Sequence, residues 1–222
     1  MFEYFYNQTL RKLTLAFGGL FDEIYVSKDT SDGKIERTRV PLTYSGKEKF
    51  IRRINEASSI SSNVKIETLL PKMAFEMTNL QYDPARKVNK LNKKVKTSLI
   101  SGVTFSQQAF TEVPYNVQFS LYCFTRTVDD NLQIMEQILP YFSPEFIVTL
   151  KMNEVDTHID VPIVLNATNM TEQYEGDMTT RRSVISSFSF TAKAHIFSKV
   201  SGLSSSGIVK GISFGLLEDN TL

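Results

Sequence analysis

Tryptophan is absent from this 222-residue chain, cysteine occurs once and histidine twice. The single cysteine, Cys123, excludes an intrachain disulfide and fits a reducing compartment such as a cytoplasm. The two histidines, His158 and His195, leave any metal site dependent on carboxylates or on Cys123, and no short His/Cys spacing marks one, so no cofactor is expected. Charge of one sign is also lacking: 25 Lys and Arg stand against 24 Asp and Glu, a net charge of +1 that supplies no global field for nucleic acid or acidic substrates. Missing as well is an unbroken apolar run of the roughly 18 residues that a membrane span requires. Leu13 to Phe21, behind Arg11 and Lys12, imitates the layout of a signal peptide. However, Gly18 and Gly19 interrupt it, Asp22 and Glu23 end it, and no small-x-small cleavage site follows. The chain is therefore expected neither to cross a membrane nor to leave through one.

Catalytic patterns are equally scarce. Gly211-Ile-Ser213-Phe-Gly215 spells the G-x-S-x-G elbow, yet that elbow joins a strand to a helix and its acid and histidine partners come later in a chain. Here seven residues follow and none is histidine. The stretch reads instead as a glycine-rich tail. Asp129 and Asp130 adjoin, but acids in the first turn of a helix are already explained by capping and the helix dipole. Neither a G-x-x-x-x-G-K-[ST] loop nor a G-x-G-x-x-G turn occurs, so nothing cradles a phosphate, and the expected class is non-enzymatic.

What is present is alternation. Tyr115, Val117, Phe119, Leu121 and Cys123 alternate with polar residues, as do Met73, Phe75 and Met77, and Val184 through Ile196 share one parity over Arg182 to Phe197. Val64 to Leu70, Phe146 to Met152 and Ile159 to Leu165 read as further strands, and Ile24 to Ser27 with Ile35 to Val40 flank a turn at Asp29 to Gly33. Helical spacing appears over Phe2, Tyr6, Thr9, Leu13, Ala16 or Phe17 and Leu20, over Phe50, Ile51 and Ile54 behind a Ser45/Glu48 capping box, and over Asp129 to Leu139. Helices interspersed irregularly among strands predict an α+β fold, a mostly antiparallel twisted sheet flanked by a few helices. One domain is expected over residues 1–197, with a Ser/Gly-rich arm or tail over 198–222.

One window differs in character. Asp83 to Lys96 carries Arg86, Lys87, Lys90, Lys93, Lys94 and Lys96 with few apolar residues, which predicts an exposed loop or arm. Such a cluster can grip a phosphate backbone or an acidic partner, and it equally suits a solvated loop; stacking aromatics are missing from it. A nucleic-acid-binding module using this stretch is the alternative functional reading.

Four segments carry a resemblance. They are Met1-Phe-Glu-Tyr-Phe-Tyr-Asn7, Arg39-Val-Pro-Leu-Thr-Tyr-Ser-Gly-Lys-Glu-Lys-Phe50, Glu67-Thr-Leu-Leu-Pro71, and the 23-residue run Phe124-Thr-Arg-Thr-Val-Asp-Asp-Asn-Leu-Gln-Ile-Met-Glu-Gln-Ile-Leu-Pro-Tyr-Phe-Ser-Pro-Glu-Phe146. In this order they are similar to the tail sheath stabiliser and completion family of T-even-type contractile-tailed bacteriophages, and Arg181-Arg182 before the long strand also fits. The stretch after Phe197 carries no matching segment.

The resemblance implies a tail-terminator-like virion protein assembled in the host cytoplasm. It implies a ring, a hexamer of self-contacts, at the head-proximal end of the tail. The implied partners are the sheath protein, the tube or its terminator, and the neck and head completion proteins, with DNA passing through the lumen. A closed ring needs one patch of each subunit to meet a different patch of the next. Phe2, Phe5 and Tyr6 at the opening helix, and Tyr141, Phe142 and Phe146 after the Asp129 helix, are the aromatic anchors expected there. The same aromatics would serve equally well as core. The basic stretch is assigned to DNA in the lumen or to an acidic partner surface.

Overall fold

The computed structural model describes residues 4–29, 35–49, 51–52, 70–89, 91–100, 103–152, 157–174 and 182–199. It contains helix α1 (Thr9–Leu20), strands β1 (Tyr25–Asp29), β2 (Ile35–Arg39), β3 (Leu42–Tyr44), β4 (Lys72–Tyr82), β5 (Lys93–Ile100), β6 (Val103–Phe110) and β7 (Val113–Thr125), and helix α2 (Val128–Ile138). A 3-10 turn (Leu139–Tyr141) and strands β8 (Glu145–Met152), β9 (Thr157–Tyr174) and β10 (Arg182–Ile196) complete it. Residues 47–49 and 51–52 are helical; the rest of the helix expected after Ser45, and the strand expected at Val64, lie outside the described residues. The fold is α+β, as the pattern predicts.

Two compact units divide the chain, one formed by Met1–Lys87 with Val113–Ile196, the other by Val88–Glu112 with the residues from Phe197 on. In the first, six strands pair in the order β3-β4-β7-β10-β9-β8. Only β3 and β4 run parallel; every other pair is antiparallel. Register sets apolar rows across the sheet: Phe75, Leu121 and Phe188 stand side by side, and so do Met77, Phe119 and Phe190. Helix α1 lies over these rows because Thr9, Leu13 and Phe17, four residues apart, form its buried face. Phe17 stacks on Phe119 with ring centroids 4.4 Å apart and meets Phe21, Phe190 and Phe75 at 5.1 to 5.6 Å. The apolar run that imitates a signal peptide thus spans the second part of α1 and Phe21, with Leu13, Phe17 and Phe21 buried and Leu15 exposed. Among the described residues no helix is long and apolar enough to cross a membrane. On the opposite sheet face Ala74, Phe124 and Ile185 are buried with Leu70, Tyr122 and Ile51 packed against them.

Two differences from expectation have local causes. Helix α1 begins at Thr9 rather than near Phe2, behind Gln8 in the left-handed region at φ 55°, so Phe5 and Tyr6 precede the helix instead of lying on its face. The exposed loop or arm predicted over Asp83 to Lys96 is a loop only to Asn92. From Lys93 the chain is β5, paired antiparallel with β6 from Lys93 opposite Phe110 to Ile100 opposite Val103, in the second unit. Lysines do not bar a strand whose alternate positions include Val95, Thr97 and Leu99 and whose partner carries Val103 and Phe105, although the dense charge and few apolar residues up to Lys96 hide it.

Candidate functional site

The 23-residue run from Phe124 to Phe146 holds the end of β7, helix α2, the 3-10 turn and the start of β8. Thr127 caps α2, its hydroxyl accepting from the Asp130 backbone N–H at 3.2 Å. Ile134 and Ile138 seat the helix on the core, and Asn131, fully buried, ties it to the sheet. The Asn131 side-chain amide N–H donates to Thr125 Oγ1 at 3.2 Å, and its Oδ1 accepts from Ser186 Oγ at 2.5 Å. Asp129 accepts from Gln133 Nε2 at 2.9 Å, and Asp130 faces Lys28 at 3.6 Å. Both adjoining acids therefore have structural partners.

The outward side of α2 does something the sequence does not announce. Gln133 and Gln137, one helical turn apart, dock on the free edge of β1. Gln133 accepts from the Ser27 N–H at 2.9 Å and donates to the Ser27 carbonyl at 3.2 Å. Gln137 accepts from the Tyr25 N–H at 3.2 Å and donates to the Tyr25 carbonyl at 2.6 Å. A glutamine side-chain amide carries the same donor and acceptor as a peptide group, and residues i and i+2 of a strand present their polar groups on one edge. The two glutamines thus stand in for a neighbouring strand and hold the β1–β2 hairpin to the helix. No periodicity rule looks for this pairing; two glutamines four apart on a helix are its only sequence signal.

Beyond Gln137 a groove of about 550 Å³ opens between the end of α1 and the 3-10 turn. Phe21, Ile24 and Ile138 are buried and form its floor. Leu20, Pro140, Tyr141, Phe142 and Phe146 wall it, and Glu23 and Glu136 stand on its rim, both exposed and neither paired with a cation among the described residues. Of the predicted anchors, Tyr141 is 68% exposed, while Phe142 and Phe146 are half-buried. Phe142 packs at 5.0 Å from Phe190, 6.2 Å from Phe21 and 6.1 Å from Phe146, so it is both wall and core. Phe5 and Tyr6 are exposed, joined by Tyr4 at 93%, which the sequence reading did not single out; Phe2 lies outside the described residues.

The basic stretch does not offer all its charge. The Arg86 guanidinium donates to Asp83 at 2.7 Å, to the Tyr115 carbonyl at 3.2 Å and to Asn116 at 2.8 Å. The hydrogen bond and charge of Arg86 hold the Asp83 carboxyl below its usual range. Lys94 pairs with Glu112 at 2.7 Å, and Lys93 sits 5.4 Å from the Phe110 ring. Lys87 is exposed, Lys96 lies on β5, and Lys90 lies outside the described residues.

Other reactive groups are accounted for by packing. Burial pushes the Cys123 thiol well above its usual range, which keeps it protonated and inert. Burial also raises Tyr122, whose hydroxyl donates to Glu76 at 3.1 Å. Among the described residues no three His, Cys, Asp or Glu side chains converge on a point where a metal could sit. Gly211 to Gly215 lie outside the described residues.

Comparison with known proteins gives these surfaces a context. The chain is 34% identical over 206 residues, 90% of its own length and 74% of the relative's, to the tail completion protein gp15 of Enterobacteria phage T4. A sequence model of the T4-like virus Myoviridae tail sheath stabilisers matches residues 4–221. The match runs through the Ser/Gly-rich stretch after Phe197, so the family resemblance extends beyond the four segments that carry it in the sequence. With the family pattern spanning nearly its whole length, the chain belongs to the T4-like virus Myoviridae tail sheath stabiliser family.

Proposed function

We propose that this structural tail protein acts as a ring, a hexamer, at the head-proximal end of a contractile tail. There it terminates and stabilises sheath and tube and joins the tail to the neck of the head. The carrying observation is the family match over residues 4–221, reinforced by identity to a tail completion protein. Its partners are then further copies of itself, the sheath protein, the tube or its terminator, and the neck and head completion proteins, with DNA passing through the lumen. It resides in the virion after assembly in the host cytoplasm.

The exposed aromatics support an assembly role. Tyr4, Phe5, Tyr6 and Tyr141 leave rings in water that interfaces favour as anchors. Phe142 and Phe146 back Tyr141 along the groove wall. The nucleic-acid-binding alternative has less support, because two of its six side chains, Arg86 and Lys94, already hold carboxylates of their own chain.

Negative-stain microscopy with mass determination, on the protein alone and with sheath and tube components, tests the proposal. Rings, free or templated on tail ends, are expected. A compact monomer that ignores both components overturns it.

A further inference from the structure

We infer that the contact between successive copies is head to tail. The exposed aromatic segment Tyr4-Phe5-Tyr6 of one copy seats in the groove walled by Tyr141 and Phe146 on the next. This rests on the ring reading and says which patch meets which.

Both halves of the contact are unsatisfied in the single chain. Three consecutive aromatics ahead of α1 stand 93%, 48% and 56% exposed, so of the roughly 150–250 Å² that each can bury, some 300–500 Å² in all is free on the donor side. That is roughly half of the 800 Å² per partner of a standard interface, so the segment anchors the contact without making up the whole of it. The receiving groove, about 550 Å³ with a floor of Phe21, Ile24 and Ile138, admits aromatic side chains rather than a whole domain.

Charge matches as well. The rim carries Glu23 and Glu136, and the donor segment is followed by the exposed Arg11, which has no acidic partner among the described residues. Opposite charges around an aromatic plug set register more than affinity.

Position makes the contact intermolecular. The donor precedes Thr9 and the groove starts at Leu20, so the 12 residues of α1 separate them by ~18 Å. In the chain itself Tyr4, Phe5 and Tyr6 stand exposed and none of them lines that groove, so its occupant comes from another copy. Donor and acceptor at opposite ends of one helix form a heterologous pair, which propagates from copy to copy until it closes.

The test replaces Phe5 with the photo-crosslinker p-benzoylphenylalanine in the full-length protein, irradiates it, and maps crosslinks by mass spectrometry. It is coupled to sedimentation of Tyr4→Ala/Phe5→Ala/Tyr6→Ala and of Tyr141→Asp, both at exposed positions, with circular dichroism to confirm folding. Intermolecular crosslinks to the peptide spanning residues 138–151 are expected, with loss of higher assembly in each variant. An equimolar mixture of the two variants should stop at a dimer, because one competent contact survives. Assemblies that persist in both variants, with crosslinks elsewhere, overturn the contact and leave the ring standing. A wild type that stays monomeric and uncrosslinked, alone and on tail ends, overturns both.

Discussion

At the residue scale, the fate of a charged side chain depends on what faces it. Arg86 sits in a run that reads as a basic surface, yet its guanidinium is committed to Asp83, Asn116 and the Tyr115 carbonyl. A run of like charges says nothing about a carboxylate three residues upstream being in reach, and nothing at all about a carbonyl 29 residues away. The pairing has a pH signature. Because the folded Asp83 carboxyl is held below its unfolded value, its contribution is fully present above the ordinary carboxylate range and is lost as pH falls through the folded value. Asp83→Asn should therefore lower the urea midpoint at neutral pH, and its gap from wild type should close as the solution is acidified. A gap of constant size from neutral to acid pH would contradict the ion pair.

At the element scale, two neighbouring glycines of α1 make opposite predictions. A Cβ on Gly18 would lie 2.8 Å from Phe75 Cζ, and that ring is itself held between Phe17 and Tyr44. A Cβ on Gly19 would meet nothing within 4 Å. Both gain helix propensity on going to alanine, by about 1 kcal/mol. Gly19→Ala should keep that gain, whereas Gly18→Ala should lose it to overpacking of about 1–3 kcal/mol. Thermal melts of the pair decide this, and equal shifts would mean that α1 does not rest on Phe75 as described.

The glutamine pair offers a second element-scale test. Removing both Gln133 and Gln137 strands the Tyr25 and Ser27 backbone groups without removing any core side chain. The double alanine variant should lose about 1–3 kcal/mol of stability by denaturant titration. Hydrogen exchange at Tyr25 and Ser27 should accelerate selectively. Exchange unchanged at those two amides would show that the hairpin is held by other means.

At the scale of the whole molecule, a net charge of +1 leaves no long-range field, so assembly through aromatic contacts should be nearly independent of salt. Sedimentation at about 50 and about 200 mM salt should give the same assembly, whereas a mode resting on several phosphate contacts would weaken by orders of magnitude over that range. A steep salt dependence of assembly would favour a role for Lys87, Lys90, Lys93 and Lys96 over the aromatic surfaces. The two units matter here too, since β5, which carries Lys93 and Lys96, belongs to the second unit and the groove to the first.

What the sequence determined by itself was local. Alternation over Tyr115 to Cys123 and Val184 to Ile196 placed two central strands, because side-chain parity in a strand depends on nothing beyond the strand. The helical spacing over Asp129 to Leu139 placed α2, though not its inner face, since Asn131, Ile134 and Ile138 are buried while Leu132 and Leu139 are exposed, and the run from Phe124 to Phe146 pointed to the family. Tertiary structure alone decided what pairs with what across long sequence separations. It turned Arg86 inward, set Gln133 and Gln137 against a strand edge 106 and 112 residues away, and brought Leu20 and Phe21 beside Tyr141 and Phe142 to make a groove. It also decided which aromatics are core and which are surface. Hydrophobicity is the same for Phe17 and Phe5, and only the presence of a packed sheet under one and open water around the other separates them.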